Sequence, residues 1–258
     1  MADLTFNTTG GQTIDRELVI AYLNTGTSAN PVWSPLGKRV EDSSASYEWS
    51  ENTIRDILGN TWSSMRKPIV NQGFDPGDLD ADDAALVKIW NLGVKDHDAR
   101  SLAAQDCLIV HFYAGLASAP FAERYSACMI IPTGLGGAGG GNIGMPINVT
   151  YGGTRTVGTA TLSNGTVTFN PNEASMNGVE ITEKAITVSA SSGTHQLTAN
   201  TIPAGETVTW ASSDTDKATV SSGLVTGKAQ GNVIVTASIT VDGVTYSDTC
   251  TVVVESAS

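Results

Sequence analysis

Positive charge is scarce in this chain. Its 258 residues carry 14 lysines and arginines against 26 aspartates and glutamates, a formal net charge of −12. The deficit runs through the whole length. Up to residue 178 there are 18 acids and 11 bases, leaving −7; beyond it there are 8 and 3, leaving −5. Such a surface repels phosphate and anionic lipid, which argues against nucleic-acid or membrane binding as the main task. Cysteine is equally sparse. Cys107, Cys128 and Cys250 are an odd number without a CxxC pair, so neither a disulfide framework nor a zinc site follows. They read as small buried hydrophobes in a chain made in a reducing compartment. No apolar run approaches the ~20 residues a membrane-spanning helix needs, and no membrane insertion is expected. The opening MADLTFNTTGGQTIDRELVI has no basic stretch, apolar core or small-residue cleavage site, and does not read as a secretory leader.

Catalytic and cofactor signatures are missing too. GGGNIG at 139–144 satisfies G-x-G-x-x-G, but a dinucleotide loop needs a strand before it and a helix after it. Here Pro132 ends the preceding strand early, and Met145-Pro146-Ile147 leads into another strand. DLDADD at 78–83 begins like a calcium loop. It has Asp83 where the turn glycine belongs, and Ile89 where the bidentate glutamate belongs. A helix N-terminus is the better reading. His97, His111 and His195 are scattered, and His111 lies in an apolar strand without an evident second ligand. No enzyme activity, cofactor or metal is expected.

What the chain does contain is strand periodicity. Hydrophobic residues make up 40% of it, enough for packed cores. In the last 80 residues, Val233, Val235, Ala237, Ile239 and Val241 alternate with Ile234, Thr236, Ser238 and Thr240, the period of a half-buried strand. Asp242-Gly243 suits a type I′ hairpin, and VTYSDTCTVVV returns as the partner. Upstream, ITVSA, HQLTAN, TVTWAS, KATVS and GLVTG complete about seven short strands, the pattern of a β-sandwich. Trp210 falls in phase with Val208 on the buried side. A core of Val208, Trp210, Val220, Leu224 and Val235 is expected.

The first 178 residues are mostly β. Residues 46–67, SYEWSENTIRDILGNTWSSMRK, read as a long hairpin turning at Gly59-Asn60; a short helix from Ser50 with Ile54, Ile57 and Leu58 on one side is the rival. Its length and polar decoration suggest an arm reaching beyond the body. Residues 80–92 form the best helix, capped by Asp80 or Asp82, packing through Ala85, Leu86, Ile89 and Trp90, and ended by Gly93. DCLIVHFYAG and ERYSACMIIP read as neighbouring antiparallel strands joined by LASAPFA. MPINVTYGG and TATLSNGTVTFNP add more, the latter a hairpin at Asn164-Gly165. Pro171–Gly178 is the natural linker, dividing the chain at 178.

Two resemblances follow. Val208-x-Trp210-x-Ser212-Ser213-Asp214, then Ala218-Thr219-Val220 with Gly223-Leu224-Val225-x-Gly227, then Gly231 with Val235-Thr236-Ala237, closely resemble the bacterial Ig-like group 2 family over about 180–255. These residues make a fold and name no ligand. The order of elements before residue 170, with Asp56-Ile57-Leu58-Gly59, Asp75-Pro76 and the 80–92 helix, resembles the tail tube (major tail) proteins of long-tailed bacteriophages.

The resemblance implies a tail-tube-type β-sandwich or barrel with one flanking helix at 1–178, followed by an Ig-like β-sandwich at 179–258. It implies hexameric rings stacked into a tube, the arm residues Ile54, Asp56, Ile57, Leu58, Gly59, Asn60 and Trp62 packing on the adjoining ring. Its implied partners are the chain itself, tape measure and tail-terminator proteins, and DNA passing through the lumen without specific binding. The Ig-like domain would project outward, where host-surface glycans are candidate ligands. A virion protein is assembled in the host cytoplasm and released by lysis, so it needs no leader. The alternative is a secreted adhesin or surface-protein fragment with an Ig-like binding module.

Overall fold

In a computed structural model, which describes residues 4, 6–8, 10–75, 77–171, 177–191 and 193–256, the chain is mainly β. The amino-terminal body contains β1 (Val19–Asn24), β2 (Trp33–Pro35), β3 (Ala45–Arg55), β4 (Thr61–Phe74), α1 (Ala84–Trp90), α2 (Ala99–Leu102), β5 (Gln105–Leu116), β6 (Ala119–Pro132), β7 (Ile147–Tyr151), β8 (Arg155–Ser163) and β9 (Thr166–Asn170). The strands pair in the order β2-β1-β5-β6-β7-β4-β3, with β8 on β6 and β9 on β8.

Strand β6 divides its second edge between two partners. Residues 121–125 pair with β8 and residues 129–132 with β7. At the switch, Gly152 and Gly153 lie so close to Ala127 that a Cβ on either would come within 2.7 Å of its backbone. Side chains are excluded there, and the sheet splits into two layers around a core.

The uninterrupted apolar run of β5 serves both faces of its layer. Cys107 and Ile109 join the inner cluster with Leu23, Ile89, Ile130 and Val149. Leu108 and Val110 join Tyr22, Trp33, Ala122, Ala160 and Val167 on the other face. That is why this strand shows no polar alternation.

Helix α1 begins at Ala84, with Asp83 as its cap, accepting from the Leu86 N–H at 3.0 Å. Asp80 and Asp82 do not cap it, because the Asp80 carboxylate is taken by Arg39 at 2.9 Å and by the Asp82 N–H at 3.1 Å. Nor does Gly93 end the helix. It sits inside a π-helical continuation, Asn91–Lys95, where a Cβ would lie 2.7 Å from the Pro132 ring. LASAPFA is not a long connection either: β5 runs through Leu116 and β6 starts at Ala119.

The carboxy-terminal body comprises β10 (Gly178–Ile181), β11 (Ala185–Ser189), β12 (Thr194–Gln196), β13 (Ala199–Ile202), β14 (Thr209–Ser212), β15 (Ala218–Ser221), β16 (Leu224–Gly227), β17 (Gly231–Val241) and β18 (Val244–Glu255). They form sheets β11-β18-β17-β14, β12-β16-β15 and β10-β13, with β11 parallel to β18. Asp242 and Gly243 have φ of 51° and 80°, as a type I′ turn requires.

Three readings of this region need correction. HQLTAN is split between β12 and β13, which belong to different sheets. Gly178 begins β10 rather than closing a linker, and residues 172–176 of that linker lie outside the described residues. Leu224 is 42% exposed while Val225 is fully buried. Val225 pairs with His195 and Val220, so the inward positions of β16 are Val225 and Gly227. Val208, Trp210 and Val220 pack against this core half-buried, and Val235 is inside it.

The bodies touch through Leu116 and Ile202, flanked by Leu4, Ala119 and Phe121. The Ala117 N–H also donates to Glu180 Oε2 at 2.7 Å.

Candidate functional site: the arm and the groove at its base

Strand β3 is exposed along all eleven residues, and β4 is exposed from Thr61 to Lys67. The pairs from Ser50↔Arg66 to Arg55↔Thr61 therefore stand clear of the body as a two-stranded arm. At 3.4 Å per residue, with the turn added, the arm projects roughly 20 Å. A register shift between Glu48 and Ser50 marks its root.

The tip is a five-residue turn rather than a tight Gly59-Asn60 hairpin, and Asp56 organises it. Its carboxylate accepts from the Leu58 N–H (2.9 Å), the Asn60 N–H (2.8 Å), Asn60 Nδ2 (3.0 Å) and Trp62 Nε1 (3.1 Å). The Trp62 and Asn60 donors hold the Asp56 carboxyl below its ordinary range. Gly59, at φ 88°, supplies the left-handed residue that closes the turn. With its polar groups turned inward, the tip shows solvent Ile57 at 102% and Leu58 at 82% exposure, beside the facing pair Ile54 and Trp62.

At the root of the arm opens a groove of about 720 Å³. Residues two apart on a strand share a face, so β5 contributes His111 and Tyr113, β6 contributes Phe121, Glu123 and Tyr125, and β3 contributes Tyr47 and Trp49. Tyr151 and Arg155 close one end. Glu123 is buried beneath them. Oε1 meets His111 Nε2 at 3.0 Å; Oε2 accepts from Tyr125 at 2.9 Å and from Arg155 Nε at 2.5 Å. Burial pushes this carboxyl upward, but the His111 and Arg155 hydrogen bonds and charges outweigh it and hold the group at about 2. Burial and then the adjacent Glu123 push the Tyr125 phenol up, and burial does the same to Tyr151. Tyr151 donates to Gln72 Oε1 at 2.6 Å.

Each Glu123 oxygen is thus already engaged, which suits a structural carboxylate better than a reactive one. Among the described residues, no three histidine, cysteine, aspartate or glutamate side chains are grouped as a metal site would need.

The residues singled out from sequence fall in three places. Ile54, Asp56, Ile57, Leu58, Gly59, Asn60 and Trp62 come together at the arm tip. Leu86, Ile89 and Trp90 pack α1 onto the inner core and contribute nothing to the groove. The Ig-like positions Val208, Trp210, Val220, Leu224 and Val235 do not line the groove. Sequence reasoning missed the groove network. Its only local signals are H-x-Y and F-x-E-x-Y, charged and hydroxylated residues at two-residue spacing inside apolar strands.

Residues 175–252 match the family model of bacterial Ig-like domains (group 2), so this part of the chain is an Ig-like domain of that group. Among solved structures, the chain is similar to the anti-feeding prophage tube-terminating cap, at 13% identity and a TM-score of 0.37, covering 60% of this chain and 96% of that one. It is also similar to the sheath/tube terminator of the extracellular contractile injection system PVC in its extended state, at 11% identity and a TM-score of 0.38, covering 58% and 99%. No curated protein sequence matches the chain.

Proposed function

We propose that the chain is a non-enzymatic structural subunit of a long-tailed bacteriophage particle, a tail tube protein that assembles as stacked six-membered rings. The arm is the observation that carries this reading. Residues 50–66 expose five large apolar side chains, Ile54, Ile57, Leu58, Trp62 and Met65, on a ribbon that has no core of its own. Exposed apolar side chains concentrated in one protruding element mark a contact surface. Terminal strand β3 adds unpaired backbone groups along its outer edge. A closed ring of identical copies covers both.

The acidic balance supports the same role. A conduit for DNA works only if DNA slides, and clustered lysine and arginine would hold it through phosphate contacts. The Ig-like domain would stand outside the tube, where weak contacts to host-surface glycans would add up over many copies. Tape measure and tail-terminator proteins would be its assembly partners, and the virion its location.

Negative-stain imaging and sedimentation of concentrated protein test this. Regular rings or hollow tubes are expected. Persistent monomers that are retained on glycan resins would instead favour an adhesin.

A further inference from the structure

We propose that the groove at the root of the arm is the socket for the arm tip of a second copy of this chain. The inference rests on the assembly reading above and names the contact that it leaves open.

The tip is shaped in advance. Asp56 ties its own turn with four hydrogen bonds, so Ile57 and Leu58 are presented outward with little ordering left to do on contact. The groove is the matching surface. Four of the chain's six tyrosines and Trp49 line it, and these residue types dominate the centres of protein interfaces. Its charged floor does not demand a polar ligand, because Glu123, His111 and Arg155 are bound to one another.

Charge allows the approach. Residues 50–66 hold two acids and two bases, net zero on a chain of −12. The arm therefore meets an acidic neighbour without like-charge repulsion, and Lys67 and Arg155 line the groove that receives it. Direction follows from length. Tip and groove lie at opposite ends of one hairpin, roughly 20 Å apart. A tip does not reach its own groove, so the contact is made between copies.

Cross-linking in the full chain tests the contact. Leu58→Cys and Lys67→Cys variants, both at exposed positions, are prepared separately and mixed under a mild thiol oxidant, while the three native cysteines are buried. The mixture should give at least ten times more linked dimer than either variant alone, with peptides containing positions 58 and 67 joined. Adding Ile57→Asp to the Leu58→Cys chain should remove that product, with its circular dichroism spectrum unchanged. No excess of linked dimer in the mixture, or a link from position 58 to any surface away from the groove, overturns the socket. Rings or tubes lacking the 58–67 link sink the socket and leave the tube reading standing. A 58–67 link in species that never form rings supports the socket and removes the tube.

Discussion

The two bodies are built from the same kind of antiparallel strand, yet they bury different things. Asn24, Gln72, Asp83, Gln105, Glu123 and Thr159 are the buried polar or charged residues among those described, and all lie in the amino-terminal body. The Ig-like body has a core of valine, isoleucine, leucine, alanine and cysteine. Exposure is reversed. Five large apolar side chains are exposed within the 17 residues of the arm, against three, Leu224, Ile234 and Val244, among the described residues of the Ig-like body. One body is finished by its own chain. The other holds internal polar ties under one wall of a groove and leaves apolar surface exposed.

The sharpest way to break that contrast is at the tip. Ile57→Asp with Leu58→Asp should abolish assembly, raising the concentration at which rings appear by about 100-fold or more, since central apolar contacts are each worth roughly 2 kcal/mol. The monomer's own unfolding midpoint should not move, because surface changes cost within about 0.5 kcal/mol. Loss of monomer stability would show that the arm is part of the body.

Acid should separate the bodies next. Glu123 titrates at about 2 when folded against an ordinary 4.5. Its contribution is present above pH 4.5 and is lost as pH falls towards 2. At 1.36 kcal/mol per unit this is roughly 3 kcal/mol for the amino-terminal body. Glu123→Gln should remove that part of the pH dependence, read from denaturant midpoints between pH 5 and pH 2.5. An unchanged pH profile would show that the ties around Glu123 add nothing.

Smaller effects probe the Ig-like body. A Cβ at Gly227 would lie 2.5 Å from the Ser189 carbonyl oxygen, so Gly227→Ala should cost about 1–3 kcal/mol in that body alone, seen as a shift of one thermal transition. Leu224→Ser should change stability by about 0.5 kcal/mol or less, whereas Val225→Ala should cost about 1–2 kcal/mol. The reverse ranking would restore Leu224 to the core.

This last pair shows where sequence legibility ended. The strands of the Ig-like body and its Asp242-Gly243 turn answer to near neighbours, and period-two counting locates them. Leu224 and Val225 are adjacent apolar residues in a four-residue strand, where counting cannot choose a face; register with His195 chooses it. In the amino-terminal body the β3–β4 hairpin was legible from its length and polar decoration. The groove was not, because its ties join residues far apart in sequence: Tyr151 to Gln72 across 79 positions, and Arg155 to Glu123 across 32. The cap of α1 was misplaced for the same reason, since Arg39 lies 41 positions before Asp80 (80 − 39). Local chemistry proposes a cap; a distant guanidinium takes it away.

The parallel pairing of β11 with β18 has a mechanical meaning. The chain reaches β11 through β10, and β18 is the last strand, so tension applied between the start of β11 and the end of β18 would pull the two strands in opposite directions along their length. Five facing positions, Ala185↔Thr251 to Ser189↔Glu255, would then bear the load together in shear instead of parting one at a time like a zip.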